Sequence, residues 1–291
     1  MKRLLRLLIR IILILFGFLF IFTLPFVFGS ANDTVLVNFR TFWDGLKLNF
    51  QSLTQMNDSS YLAFFKELDI TNSYQYTMTI LGGSLIVIIF LAIVISILIM
   101  LTPEKVSNRL KNGINFFEAV PDLLVILLIM FSVITLYKTT GLKFLQLYGV
   151  FGNKPYFVPI MTVSFLPLFL LLQFLVKVIN EEQNQQYVLY AKAKGIGRLR
   201  ILLVHIMRNI FPLLILQLRT IVWVLLSNIY LVEFLFNING FTQQFLKVLF
   251  MGGDFASLVA CLLMLSIPLL VMEALAWFIS KFIKGKEAVS I

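Results

Sequence analysis

Long apolar runs alternate with short polar segments along the whole chain. A run of about 20 apolar residues is long enough to cross a bilayer as a helix. Six segments reach roughly this length and predict membrane-spanning helices: Ile11–Phe28, Thr77–Leu101, Phe116–Tyr137, Phe157–Val178, Phe211–Phe236 and Ala256–Phe282. The pattern therefore predicts an all-α, polytopic membrane protein with six transmembrane helices.

The first apolar run follows a basic segment that holds Lys2, Arg3, Arg6 and Arg10. A basic start followed by an apolar run is also typical of a cleaved signal peptide. The run is long for a signal peptide, however, and no A-x-A cleavage site follows it in FVFGSANDT. We interpret residues 1–28 as a cytoplasmic segment and a retained first span, with a cleaved signal as the alternative.

The polar segments between the runs differ in character. Residues 29–76 carry both signs of charge and contain two amphipathic stretches, TFWDGLKLNFQSL and YLAFFKEL, which predict short helices on the outer surface. Residues 102–115 are interpreted as a short basic loop, and residues 237–255 as a loop with a re-entrant or surface helix. The predicted organisation is a first segment at 1–28, an extracytoplasmic segment at 29–76, and a core at 77–291 that includes a cytoplasmic loop at 179–210.

Composition and charge narrow the class of protein. The 291 residues are 60% hydrophobic with a mean hydropathy of +0.95, more apolar surface than a soluble domain of this length can bury. The net charge is +10, and most Lys and Arg fall in segments that place both termini in the cytoplasm. Lys138, Lys143 and Lys154 are the exception, because they make one outer loop basic. The positive charge suits anionic lipid or acidic partners rather than nucleic acid.

Cysteine and histidine are almost absent. Cys261 and His205 are each the single residue of their type. The sequence therefore predicts no intrachain disulfide, no Cys/His metal site and no His-based catalytic triad.

Charge within a membrane span is costly and therefore informative, and we single out five of the charged residues that fall in the predicted spans. They are Glu118, Asp122, Arg219, Glu233 and Glu273. Glu118 and Asp122 flank Pro121 and are predicted to lie one turn apart on one face of the third span. Such charges can lie near the headgroups or neutralise another charge, and we favour this interpretation for Glu118 and Arg219, which are both predicted near the inner face. The alternative is that they line a translocation path. Asp122 is the strongest pathway candidate because it lies deeper, and Glu273 is a candidate partner for Arg219.

The stretch from Tyr187 to Pro212 interrupts the apolar pattern with basic residues and glycines. Tyr187–Lys194 contains strong helix formers, and this helix is predicted to end at Gly195, with Gly197 as a second hinge. Helical periodicity resumes over Arg198–Asn209. Its polar face comprises Arg198, His205, Arg208 and Asn209. Composition alone leaves two interpretations: a solvated basic loop, or a surface that docks into another protein on the cytoplasmic side.

The letters YAKAKGIGRLRILLVHIMRNIFP resemble the cytoplasmic signature, called the EAA loop, of permease subunits of ATP-binding-cassette (ABC) importers. The oligopeptide, dipeptide and nickel branch has the most similar version, which reads Y-V-x-x-A-x-A-K-G-L, then H-x-x-R-N, then Pro. The matching residues are Tyr187, Val188, Ala191, Ala193, Lys194, Gly195, His205, Arg208, Asn209 and Pro212. LVEFLFNINGFTQQFLKVLF is similar to a V-E-x-x-F-x-x-P-G-L-G stretch of the same branch, with Glu233, Phe236 and Gly240 matching.

The resemblance extends more weakly over most of the chain, as a divergent member of the first permease type of that branch. Ile196 replaces Leu, Asn239 replaces the proline of P-G, and Thr242 replaces the second glycine. A P-G-D-P-type stretch after the first span is missing. The charges at Glu118, Asp122 and Arg219 are also unexpected at those places.

This resemblance implies a type I ABC importer permease in the bacterial plasma membrane, which carries peptides or a related small solute. Such a subunit pairs with a second permease subunit, docks on separate cytoplasmic ATP-binding subunits that hold ATP and Mg, and receives solute from an extracytoplasmic binding protein. The residues implied in ATPase coupling are Tyr187, Ala191, Lys192, Ala193, Lys194, Gly195, Gly197, His205, Arg208 and Asn209. The chain has no G-x-x-x-x-G-K-[ST] motif, so we predict no nucleotide cofactor and no enzymatic activity in it.

Two other functions remain open from the sequence. An ion- or proton-coupled secondary carrier would use Asp122, Glu233 and Glu273. A membrane scaffold or signalling partner would use the same fold for assembly without transport.

Overall fold

The computed structural model describes residues 13, 16–31, 34–54, 66, 69–141, 154–250 and 255–287, which are predominantly helical. In chain order the elements are α1 (Phe16–Val27, with a 3-10 turn at Leu24–Val27), β1 (Phe28–Ala31), β2 (Thr34–Val37), α2 (Phe39–Thr54), α3 (Ile70–Leu101), α4 (Glu104–Glu118), α5 (Asp122–Thr140), α6 (Phe157–Glu182), α7 (Gln186–Ala193), α8 (Arg198–Leu235), α9 (Phe241–Phe250) and α10 (Phe255–Glu287).

Five of the described helices are long and apolar enough to cross a membrane. They are α3, α5, α6, α8 and the Phe255–Ile279 part of α10, and α1 is a shorter apolar helix. The predicted all-α membrane class is therefore confirmed. The prediction did not include the two-stranded antiparallel hairpin, in which Phe28 pairs with Val37 and Ala31 with Thr34.

The chain divides into two compact units, residues 1–71 with 244–265 and residues 72–243 with 266–291. In the first unit, Thr41 Oγ1 donates a hydrogen bond to the Phe26 carbonyl oxygen at 2.7 Å, and the rings of Phe18 and Phe22 contact the Phe255 ring. The helix predicted in TFWDGLKLNFQSL is present as α2. Except for Lys66, the stretch YLAFFKEL lies outside the described residues.

The core of the second unit is the packing of α6 against α8. Leu171, Leu175 and Ile179 recur every fourth residue on α6 and are fully buried. Ile221, Leu225 and Ile229 do the same on α8. Rows of residues four apart are the ridges by which helices interlock, so these two rows hold the two spans together.

The contact between α3 and α6 uses small residues. A Cβ atom added at Gly83 would lie 2.9 Å from Ile160 Cδ1, whereas one added at Gly82 would meet no atom within 4 Å. Beside Gly83, the Ser84 hydroxyl donates to the Ile160 carbonyl oxygen at 3.3 Å. Of the two glycines, only Gly83 leaves room for a side chain of the neighbouring helix, that of Ile160.

Residues 104–115 of the predicted basic loop are helical, which corrects that prediction. They belong to α4, an amphipathic helix in which Val106, Leu110, Ile114 and Phe117 recur at helical spacing. The charged residues between them made the segment resemble a loop. The helix packs on α6, where Phe117 stacks on Phe169 with ring centroids 4.8 Å apart.

The third span begins at Asp122, and not at Phe116 as predicted. Helix α4 ends at Glu118 and α5 begins at Asp122, because Pro121 has no N–H to continue the helix and restricts the residue before it. Glu118 and Asp122 therefore lie on separate helices and do not share one helical face. Asp122 lies in the first turn of its span rather than deep within it. The helix dipole favours an acidic side chain in a first turn.

Three other spans extend beyond their predicted bounds. Helix α3 begins at Ile70 rather than Thr77, α6 continues to Glu182, and α8 is continuous from Arg198 through Pro212. Membrane helices tolerate an internal proline when neighbouring groups satisfy the freed backbone carbonyl, so Pro212 did not mark a helix start. The predicted helix between the last two spans is present as α9.

Candidate functional site

The short helix α7 ends in a motif that reverses the chain sharply. Gly195 has φ of 75°, a left-handed conformation that glycine adopts without steric cost. Its N–H donates to the Lys192 carbonyl oxygen at 2.9 Å, and the Ile196 N–H donates to the Ala191 carbonyl oxygen at 3.2 Å. These two bonds form a Schellman motif, which satisfies carbonyls that a helix end leaves unpaired. The predicted helix end at Gly195 is confirmed.

One side of α7 packs into the protein and the other is exposed. Val188 and Ala191 are buried, whereas Leu189 and Tyr190 are 53% and 64% exposed. Lys194 Nζ lies over the Tyr190 ring, 4.6 Å from its centroid. The two predicted small residues differ accordingly, because Ala191 packs inside this chain and Ala193 lies on the surface. We name the exposed set Leu189, Tyr190, Lys192, Ala193 and Lys194 the α7 face.

A single carboxylate ties α7 to the two spans on either side of it. Tyr187 Oη donates to Glu182 Oε2 at 2.5 Å, and Asn209 Nδ2 donates to the same oxygen at 3.0 Å. Glu182 is the last residue of α6, Tyr187 lies in the first turn of α7, and Asn209 lies in α8. Burial and the Glu182 carboxylate raise the pKa of Tyr187 to about 12. We call these three residues the Glu182 node.

Sequence reasoning selected Tyr187 and Asn209 but missed Glu182. The available signal was the adjacent acids Glu181 and Glu182 just before a basic segment. Their order in the sequence does not show which of the two contacts Tyr187 and Asn209. In the helix, Glu181 is exposed to solvent and Glu182 is half-buried, so Glu182 makes these contacts.

The start of α8 and the residue before it hold the remaining residues that the sequence resemblance implied in ATPase coupling. Gly197 precedes the helix with extended backbone, φ −61° and ψ 145°, so it adopts an ordinary conformation. Residues Ile201–Ile206 form a π-helix, a widened turn that is frequent at functional sites, and the half-buried His205 lies in it. Arg208 and Asn209 are exposed one turn later.

A cavity of about 410 Å³ lies between α7 and the start of α8. Lys192 and Arg198 border it, and Val188, Ile201 and Ile206 are among its apolar lining residues. It therefore combines positive charge at the edge with an apolar wall, beside the α7 face.

Glu233 anchors the turn that follows α8. The side chain is 1% exposed, and its carboxylate accepts hydrogen bonds from Thr77 Oγ1 at 2.5 Å, from the Thr242 N–H at 3.0 Å and from the Thr242 hydroxyl. A Cβ atom added at Gly240 would overlap this carboxyl group. Each acceptor oxygen is thus used inside the protein, and a side chain larger than glycine does not fit beside it.

Arg219 and Glu273 form the ion pair that the sequence left as a candidate. Arg219 Nε lies 3.0 Å from Glu273 Oε2, between α8 and α10. The two side chains are 55% and 57% exposed. The pair is therefore on the surface of this chain, on helices long enough to cross a membrane.

The charged candidates separate into distinct places. Arg219 and Glu273 contact each other, Glu233 contacts Thr77 and Thr242, and Asp122 begins α5. Of Glu118 the structure describes only its place at the end of α4. Within the described residues, no three side chains of His, Cys, Asp or Glu come together as a metal site.

The described residues thus form several apolar helices of membrane-spanning length, with a capped, exposed short helix between two of them. The chain belongs to the family of binding-protein-dependent transport system inner membrane components, whose profile matches residues 92–285. It is also similar to the metal-staphylopine import system permease protein CntB of Staphylococcus aureus, in strains Mu50 and NCTC 8325. The identity is 20% over 258 residues, which cover 88% of this chain and 78% of the relative. The protein is thus an inner-membrane ABC importer permease, as the resemblance implied.

Replacing Tyr187 with phenylalanine should loosen α7 without unfolding the protein. The change removes one hydrogen bond to Glu182, worth about 1 kcal/mol, so backbone amides of residues 186–193 should exchange with solvent about fivefold faster. Because the folded pKa exceeds the ordinary value of 10.0, this contribution is present below pH 10 and is lost as pH rises toward about 12. Tyr190→Phe is the matched control, since its ring remains beneath Lys194. Equal exchange in both variants at pH 7 would contradict the role of the Glu182 node.

Replacing Glu233 with glutamine should lower stability. The amide group of glutamine would set a donor against the N–H and hydroxyl donors of Thr77 and Thr242, at a cost of about 1–3 kcal/mol. Gly240→Ala should act in the same direction by overlap, and the exposed Glu181→Gln should have little effect on stability. Thermal unfolding of the purified protein measures this. A Glu233→Gln protein of normal stability and altered transport would instead show that Glu233 serves the pathway.

Proposed function

We propose that this chain forms half of a translocation pathway and is driven by a separate ATP-binding subunit that binds the α7 face. The α7 face carries the proposal, because it exposes Leu189 and Tyr190 beside two lysines on a helix that is too short to span a bilayer. Exposed aromatic and apolar side chains rimmed by charge are typical of protein interfaces. The adjoining cavity, bordered by Lys192 and Arg198, would receive a side chain of the partner.

The Glu182 node supplies the mechanical link in this proposal. A force on α7 reaches α6 through Tyr187 and Glu182, and reaches α8 through the same carboxylate and Asn209. The buried rows of α6 and α8 then move as one body, since packed helices shift between discrete arrangements rather than deform. ATP-driven closure of the partner subunits would in this way rock the spans between inward-open and outward-open forms. Under this proposal both termini lie in the cytoplasm, with α7.

The Arg219–Glu273 pair supports the proposal that a second permease subunit and a translocation pathway lie beside this surface. Both side chains are more than half exposed, and a charged pair facing lipid is costly. Water or protein covering this surface would remove that cost. We propose that the pair borders the pathway between the two permease subunits, and that a binding protein delivers the solute from outside.

The cargo in this proposal is a small polar or charged solute. The name of the similar S. aureus permease refers to a metal–staphylopine complex, and the resemblance in the sequence implied peptides. Both classes carry charged groups that a paired Arg and Glu would meet. The secondary-carrier alternative is weakened, because Glu233 already accepts three hydrogen bonds inside the protein and Asp122 begins a helix.

Replacing Gly195 with aspartate should uncouple the ATPase. The change adds negative charge and backbone strain at the end of the α7 face, so ATPase copurification and ATP-driven uptake should each fall about tenfold or more. Gly141→Asp is the matched control, because Gly141 also has positive φ (65°), also faces open space, and ends α5. Membrane insertion should be normal in both variants. Full ATPase retention and uptake by Gly195→Asp would contradict the docking role.

Exchanging the two charges distinguishes a pathway pair from a neutralising pair. Arg219→Gln or Glu273→Gln alone leaves one charge without its partner and should reduce uptake. The exchange variant, Arg219→Glu with Glu273→Arg, restores the pair, so it should fold and insert normally. We expect its uptake to stay low, because the positions of the charges along the pathway are reversed. Recovery of normal uptake would assign the pair to structural neutralisation only.

A further inference from the structure

A second cavity of about 410 Å³ lies between the end of α3, α4 and α6. Its wall is almost entirely apolar and includes Leu98, Ile99, Phe117, Leu168, Phe169 and Leu172. Thr102 also lines it, but the Thr102 hydroxyl already donates to the Ile99 carbonyl oxygen at 2.7 Å. Water needs polar partners to occupy a cavity, so this one suits an apolar occupant.

The edge of this cavity carries positive charge. Arg109 is the charged residue among those that line it, and its side chain is exposed. Lys105 lies one turn earlier on the same face of α4 and is also exposed. Glu104 begins the helix and is the nearest acid in the sequence. An occupant that enters with its apolar part would therefore meet a cation at the entrance.

The helices around the cavity predict a position at a membrane–water boundary. Its walls include the last two turns of α3, a helix that is long and apolar enough to cross a membrane and that ends at Leu101. Its edge belongs to the amphipathic helix α4. An amphipathic helix with basic residues on its polar face lies in the interface plane, where acyl chains meet headgroups. At this predicted depth the cavity can meet both the acyl chain and the headgroup of a lipid.

We propose that this cavity, which we call the α4 cavity, binds one anionic phospholipid, with part of an acyl chain among Leu98, Phe117 and Leu172 and the phosphate on Arg109. Three features match this occupant: the dry apolar wall, the cation at its edge, and the depth at the headgroup boundary. Binding here would hold α4 against α3 and α6, since the lipid chain fills space that these helices leave open. The site is independent of the proposed ATPase docking at α7.

A larger side chain at Gly113 can be used to fill the cavity. It lines the cavity, and a Cβ atom added there meets no atom within 4 Å. Gly113→Leu should therefore extend into the space of the acyl chain from a Cβ position that overlaps no neighbour. Arg109→Gln removes the headgroup contact and leaves the apolar wall intact.

The test uses the intact purified complex and native mass spectrometry, with phosphatidylglycerol and phosphatidylcholine of identical acyl chains as probes. The wild-type complex should retain phosphatidylglycerol about fivefold better, the preference expected from one cation near a headgroup. Arg109→Gln should abolish this preference. Gly113→Leu should lower retention of both lipids, and Gly113→Ala should lower it less, which covers a failure of the larger variant to fold. Lys138→Gln, at the far end of α5, is the matched charge control and should keep the preference.

A photoactivatable group at Leu110, an exposed residue that lines the cavity, identifies the occupant directly. Crosslinking to phosphatidylglycerol supports the proposal. Crosslinking to the second permease subunit instead, equal retention of the two lipids by the wild type, or equal effects of Arg109→Gln and Lys138→Gln would overturn it.

Discussion

The packing of α6 against α8 is the interaction on which the rest of the second unit depends. Fully buried leucine and isoleucine side chains recur every fourth residue on both helices, so the two spans hold a fixed register. That register brings Glu182, at the end of α6, beside Asn209 near the start of α8, and the connecting helix α7 is bound there through Tyr187. At the far end of α8, Glu233 binds Thr77 and Thr242 and so fixes α3 and the turn before α9. A rigid pair of spans with polar attachments at both ends is suited to transmit a force applied at α7.

Polar groups within this apolar chain have distinct physical roles, according to their surroundings. Glu233 is buried and its oxygens accept hydrogen bonds from neighbouring donors, so it is an anchor of the fold. Arg219 and Glu273 are paired but exposed, and in the proposed arrangement they face water or another protein. Arg109 is exposed at the edge of an apolar cavity and is available to a lipid headgroup. Depth, exposure and partner, rather than charge alone, separate an anchor from a surface that meets solute, protein or lipid.

Sequence patterns predicted those features that depend on neighbours along the chain. The helix end at Gly195 follows from a local preference for positive φ, and the helices α2 and α9 follow from amphipathic periodicity. The predictions were wrong where one pattern in the sequence masked a second pattern in the same segment. The charges of residues 102–115 hid the apolar face of α4, and the apolar stretch around Pro121 hid a break that separates Glu118 from Asp122. The extra turns of α3 at Ile70 and of α6 at Glu182 carry polar residues, which hydropathy alone assigns to loops.

By itself the sequence determined the class of protein, because its apolar length requires a bilayer and the spacing from Tyr187 to Pro212 matches that of a permease family. Tertiary structure decided which polar residues meet. It joined Glu182 to Tyr187 and Asn209, paired Arg219 with Glu273, and placed Gly240 against Glu233 across a turn. Side chains that are distant in sequence meet only through the packing of whole helices, and that packing depends on the shape of each buried surface. Charge and periodicity in the sequence indicate which face of a helix is apolar, but they do not indicate which other helix packs against that face.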